Sequence, residues 1–174
     1  LARPWSRYPD FDPKDLLEAL ARFSGWRADG ILAGNGSNEM IEALLLVTVG
    51  PGTKVVIPEP TFTLYALMTT ILGGEAVRVR LSSRGAPSRT GDEGSAFSAP
   101  ADPSEPVHPE PLRMTGLTYD VESLLKAREE SQAPVTIVCS PNNPTGSSLS
   151  VADVERLCQA GDGLVVIDEA YHEF

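Results

Sequence analysis

The apolar residues of this chain switch period repeatedly, from the 3.6-residue spacing of helices to short β-branched runs, and this alternation restricts the fold more than any other feature. DPKDLLEALARFSG (12–25) carries Pro13 in a first turn and Leu16, Leu17, Leu20 and Phe23 at helical spacing, with Gly25 as the stop. MIEALLLVTVG (40–50) is apolar on nearly every face, which predicts a helix packed in the interior. TKVVIPEP (53–60) reads as a strand stopped by Pro58 and Pro60, FTLYALMTTILGG (62–74) as a second buried helix, and EAVRVRL (75–81) as a strand. YDVESLLKAREE (119–130) and SVADVERLCQA (150–160) read as helices, while VTIVCS (135–140) and LVVIDEA (164–170) read as buried strands. Strands that alternate with helices need crossover connections, so the expected fold is α/β: a three-layer α/β/α sandwich around a mainly parallel sheet.

Composition narrows the function classes. The 174 residues hold 24 Asp plus Glu against 14 Lys plus Arg, a formal charge of -10, which disfavours nucleic acid or an anionic membrane surface as partner. The longest apolar runs fall far short of the roughly 20 residues that span a bilayer. Cys139 and Cys158 lie in apolar segments without a CxxC and read as reduced core thiols. From 82 to about 116 the chain turns to Pro, Gly, Ser and Ala without apolar periodicity, so this stretch reads as a disordered surface insertion in an otherwise compact domain.

Ligands of parallel α/β sheets bind beyond the carboxyl ends of the strands. GNGSNE (34–39), PNNPTG (141–146) and DEAY (168–171) are expected there, facing one crevice. GNGSNE sets Gly34 and Gly36 before Ser37 and Asn38 at a helix start, which suits either a phosphate held on free N–H groups or an ordinary helix cap. The prolines of PNNPTG hold the Asn143 side chain in a fixed direction, or simply shape a turn. Asp168 and Glu169 leave an apolar strand, where a carboxylate needs a cationic or hydrogen-bonding partner, and a ligand is one candidate. LVVIDE invites comparison with the magnesium strand of P-loop ATPases, yet the chain has no GxxxxGK[ST] and GPGTK (50–54) has the wrong spacing. No GxSxG occurs, and His108 and His172 lack spaced partners for a metal, so both histidines read as solvated and no metal site is expected.

Taken in order, RYPD (7–10), GNGSNE, PEPTF (58–62), PNNPTG and DEAYHEF (168–174) resemble fold-type-I pyridoxal-phosphate aminotransferases, specifically the histidinol-phosphate aminotransferase branch. The resemblance covers most of the chain outside 82–116. It implies pyridoxal 5'-phosphate as cofactor. Asp168 would take the place of the aspartate on the pyridine nitrogen, and Tyr171 and Asn143 would hydrogen-bond the phenolic oxygen. Phe62 would stack on the ring. Gly36, Ser37 and Asn38 would cradle the phosphate, and Tyr8 would reach the phosphate in a neighbouring subunit, making the protein a homodimer with shared sites. Core or interface packing is the alternative for Phe62 and Tyr8. The substrates implied are an amino donor such as histidinol phosphate and a 2-oxo acid acceptor, 2-oxoglutarate, in a cytoplasmic enzyme.

The departures from the family pattern bear on activity. The family's Schiff-base lysine follows the DEAY strand on a later Ser-Lys segment, whereas the lysines here are Lys14, Lys54 and Lys126, none in that context. The family's C-terminal small domain and substrate-gripping arginine also have no counterpart. The expectation is therefore a partial cofactor-binding large domain over 1–174, inactive alone, with the natural N-terminus removed or the chain an excerpt. Two alternatives stand beside it: a threonine-phosphate decarboxylase-like enzyme, whose motifs are similar, and a truncated non-catalytic binding protein.

Overall fold

The computed structural model describes residues 11–83 and 116–173. The chain divides into two compact units, Leu1–Met40 and Ile41–Phe174.

Within the first unit, helix α1 (Lys14–Ser24) starts after Pro13 and ends at Gly25, whose φ of 72° supplies the left-handed stop. A single 3₁₀ turn covers Ala28–Gly30. Residues 31–36 form no strand, so GNGSNE does not follow a member of the sheet; the apolar piece 31–33 is too short to pair. Helix α2 (Ser37–Thr48) begins at Ser37 and carries the boundary between the units.

The second unit is built on a four-stranded parallel sheet of β1 (Lys54–Glu59), β2 (Glu75–Arg80), β5 (Val135–Cys139) and β6 (Leu164–Asp168). Their order across the sheet is β2-β1-β5-β6. The other elements are α3 (Leu64–Ile71), α4 (Val121–Ser131), α5 (Val151–Gln159) and the short antiparallel pair β3 (Ser82–Ser83) and β4 (Leu117–Thr118). Alternate strand residues face opposite layers. Val55, Ile57, Val135, Ile137 and Cys139 pack with Ile41 and Leu45 of α2 and Tyr65 and Ala66 of α3. Val56 and Val79 pack instead with Leu124 of α4 and Leu157 of α5. This gives the expected three-layer α/β/α arrangement. The caps of α4 and α5 follow the sequence: the Asp120 side chain accepts from the Ser123 N–H at 3.1 Å and Ser150 from the Asp153 N–H at 3.1 Å.

Several details differ from the sequence reading. β1 runs through Pro58, which pairs with Val79; pairing on the β5 side stops at Val56, so no partner there loses a bond to the missing N–H. α2 and α3 each bury one face, leaving Leu46, Val47, Leu67 and Ile71 exposed, and β6 is an edge strand among the described residues, with only Asp168 fully buried. Cys139 is buried but Cys158 is exposed on α5, so only one thiol belongs to the core.

Of the stretch expected to be an insertion, only Ser82, Ser83 and Gly116 are described; Phe97, His108 and the proline cluster lie outside the described residues. Its two ends meet, since Ser83 pairs with Leu117. Replacing 84–115 with a short Gly-Ser turn therefore leaves both cores intact, and shorter loop closure stabilises by at most about 2 kcal/mol. Urea unfolding of the shortened protein should stay cooperative with an unchanged or raised midpoint; loss of cooperativity would contradict this.

Candidate active site

At the carboxyl end of the sheet, PEPTF, PNNPTG and DEAY come together. Register places Asp168 opposite Cys139, and the Ser140 N–H donates to the Asp168 carbonyl at 2.9 Å. Asn142, buried after β5, ties the loops: its Nδ2 donates to the Pro60 carbonyl at 2.9 Å and to Thr145 Oγ1 at 2.7 Å, and its Oδ1 accepts from Thr61 Oγ1 at 2.7 Å. Every polar atom of this side chain is satisfied, so it acts as an internal brace. Gly146 closes the turn at φ 71°, a conformation that suits glycine.

The neighbouring Asn143 is freed for another task. Its Nδ2 donates to the Tyr171 hydroxyl at 3.2 Å, and both residues border an open hollow lined also by Pro141, Pro144 and Gly146. Tyr171 is 45% exposed. Asp168, in contrast, is 8% exposed. Its Oδ2 accepts from the Tyr65 hydroxyl at 2.6 Å and its Oδ1 from the Ala170 N–H at 3.1 Å. No described Lys, Arg or His lies within ion-pair distance of it. A buried carboxylate served only by neutral donors favours a bound group that brings a positive charge or a proton. Phe62 is partly buried, its ring edge-on to Tyr65 with centroids 5.6 Å apart.

Gly36, Ser37 and Asn38 lie in the first unit and are exposed. Gly36 has φ 87°, and α2 starts at the next residue. The Glu39 carboxylate caps the Asn35 N–H, while the first-turn amides of Ser37 and Asn38 have no acceptor inside the helix. The side-chain bond in this turn thus comes from Glu39 and not from Ser37 or Asn38. Tyr8 lies outside the described residues, and so does the rest of RYPD. His172 is exposed. Among the described residues no group of three His, Cys, Asp or Glu side chains could hold a metal, and no helix is long and apolar enough to cross a membrane.

Tyr65 and Asn142 were not singled out from the sequence. A tyrosine inside the apolar helix 62–74 was nonetheless a usable signal, because a buried phenol needs a polar partner.

The family model described as aminotransferase class I and II matches residues 1–93 and 105–174. The chain belongs to this family. Two curated members, the histidinol-phosphate aminotransferases of Chlorobium phaeovibrioides and Chlorobium phaeobacteroides, are 33% and 35% identical to it over 98% of its length. The chain spans 39% of the length of each. A solved aminotransferase, "histidinol-phosphate aminotransferase from Sinorhizobium meliloti in complex with pyridoxal-5'-phosphate", superposes with a TM-score of 0.72 at 25% identity, over 97% of this chain and 37% of that one.

Two phenols, the buried one of Tyr65 and the half-buried one of Tyr119, link the stability of this aminotransferase chain to alkaline pH. Burial, then the hydrogen bond to Asp168, pushes the Tyr65 phenol well above the ordinary value near 10, and burial does the same for Tyr119, whose hydroxyl donates to the Cys139 carbonyl. In the unfolded chain both ionise near pH 10. Their contribution to stability is complete below that pH and is lost above it, by up to about 1.4 kcal/mol per pH unit for each tyrosine. Urea midpoints should therefore fall between about pH 10 and 11, and Tyr65→Phe should flatten the fall.

Proposed function

We propose that this chain forms the cofactor-binding part of a pyridoxal-phosphate aminotransferase that moves an amino group from histidinol phosphate, or a close amine phosphate, to 2-oxoglutarate. The observation that carries the reading is Asp168: a carboxylate 8% exposed, without a described cation, beside the Asn143–Tyr171 pair at the carboxyl edge of a parallel sheet. That donor set fits pyridoxal phosphate. When bound, the cofactor supplies an electron sink through its protonated ring nitrogen.

On this reading Asp168 keeps the proton on that nitrogen, and its burial strengthens the ion pair. Asn143 and Tyr171 donate to the phenolic oxygen and hold its charge. Phe62 covers a ring face. Gly36, Ser37 and Asn38 present backbone N–H groups to the phosphate at the start of α2. Tyr8 extends to the phosphate site of a second copy, so the working form is a homodimer, placed in the cytoplasm. The residues span a partial large domain, 1–174. Lys54 opens β1 at the opposite, amino end of the sheet, and Lys14 and Lys126 pair with Asp12 and Glu130 on the surface, so on this reading none of the three is the covalent anchor.

Two assays test this. Borohydride reduction of the 174-residue chain with pyridoxal phosphate, followed by peptide mapping, should give no stoichiometric adduct and the chain no turnover; an adduct at one of its lysines with turnover would contradict the assignment. The complete protein that contains these residues, loaded with cofactor, should form glutamate from histidinol phosphate and 2-oxoglutarate. Carbon dioxide release from threonine phosphate would make it a decarboxylase instead, and cofactor binding without any turnover a non-catalytic protein.

A further inference from the structure

We infer that Tyr65 is a positioning residue, whose hydroxyl holds the Asp168 carboxylate in one orientation. The inference rests on the cofactor-binding reading of Asp168 given above. Tyr65 is 0% exposed and its hydroxyl stands 2.6 Å from Asp168 Oδ2, across 103 residues of sequence. Its own placement leaves little freedom. The Phe62 ring meets it edge-on, Thr69 Oγ1 donates to its carbonyl at 2.8 Å, and Leu45, Ile57 and Ile137 belong to the same packed cluster. The second oxygen, Oδ1, is fixed by the Ala170 N–H at 3.1 Å.

The type of donor matters. An arginine or lysine here would neutralise Asp168 and compete with a cationic ligand. A phenol and an amide stabilise the anion yet leave its charge uncompensated, so the charge stays available to a protonated group. Burial pushes the phenol well above its ordinary value, so at neutral pH it is a donor. Without the hydroxyl Oδ2 loses its donor, the carboxylate is free to turn, and its contact with the protonated ring weakens. Binding of the protonated ring and the rate both fall, through Asp168 alone.

A double-mutant cycle in the complete cofactor-loaded protein tests this, with Tyr65→Phe, Asp168→Ala and the pair, reading the dissociation constant for pyridoxal phosphate together with kcat and KM. Tyr65→Phe should weaken cofactor affinity about fivefold and lower kcat about tenfold, with KM within about twofold. In the Asp168→Ala background the same change should alter both by less than about twofold. Thr70→Val removes from the same helix a hydroxyl that bonds only the Ala66 carbonyl, at 2.9 Å, and should leave affinity and kcat as they were. Equal losses from Tyr65→Phe in both backgrounds would overturn the inference, because they would mean a packing defect. If Asp168→Ala alone leaves affinity and kcat unchanged, the reading of Asp168 falls first and this inference with it. Should Tyr65→Phe fail to fold, a fluorinated tyrosine at position 65 keeps the ring and donates more strongly; it should tighten cofactor binding, and unchanged binding would overturn the inference.

Discussion

Replacing Asp168 with alanine in the complete protein is expected to lower kcat roughly 10² to 10³-fold, a loss on the order of 3 to 4 kcal/mol of transition-state stabilisation. The reason is the position of the carboxylate. It is 8% exposed and ends a strand at the edge of the described sheet, with both oxygens held by Tyr65 and Ala170 and no described cation nearby. In such surroundings a charge interacts strongly with whatever enters, and little of that interaction is spent reorganising solvent. Cofactor affinity should fall much less, by about tenfold, because the contacts proposed for Asn143 and Tyr171 remain. Asp168→Asn, which keeps the shape but not the charge, should resemble alanine in rate. Steady-state kinetics with a parallel cofactor titration checks both statements, and a near-normal kcat in Asp168→Ala would exclude the assigned role.

The second large effect is on stability. Ile137 sits on β5, between β1 and β6, is 0% exposed and packs with Ile41, Leu45 and Tyr65. Ile137→Ala removes buried methyl and methylene groups where strands and helices converge, leaving little room for collapse, and should destabilise by about 2 to 5 kcal/mol. Domains of this size hold a margin of only about 5 to 15 kcal/mol, so a large share of it disappears. Leu67→Ala on the exposed face of α3 should change stability by no more than about 0.5 kcal/mol. Urea unfolding of the two variants gives the comparison; a loss below about 1 kcal/mol at Ile137 would mean that this core is looser than its packing indicates.

Much of the architecture was legible in the linear pattern, because period and caps are local properties. The β-branched runs at 54–57, 135–139 and 164–167 became strands, and the 3.6-residue spacing after Asp12, Asp120 and Ser150 became helices. Asp120 and Ser150 cap α4 and α5 as short polar residues before apolar periodicity do elsewhere. The order of the motifs also pointed to the aminotransferase family, which the family match then established.

What the pattern could not supply was which side chains meet. Period gives the face of an element but not the register of one strand on another, and a sheet ordered β2-β1-β5-β6 joins residues far apart in the chain. Pro58 looked like a strand stop and is a strand residue, because β5 pairs with β1 only as far as Val56. Cys158 looked like core and faces solvent, because α5 turns it away from the cluster that buries Leu157. Tyr65 looked like one more apolar helix residue, and Asn142 like half of a turn. Parallel pairing of β5 with β6 sets Asp168 beside Cys139, and the packing of α3 on that sheet brings the Tyr65 hydroxyl to its carboxylate. The chain thus encoded its elements and its family locally, whereas the environment of Asp168 depends on contacts between distant segments that exist only once the sheet has closed.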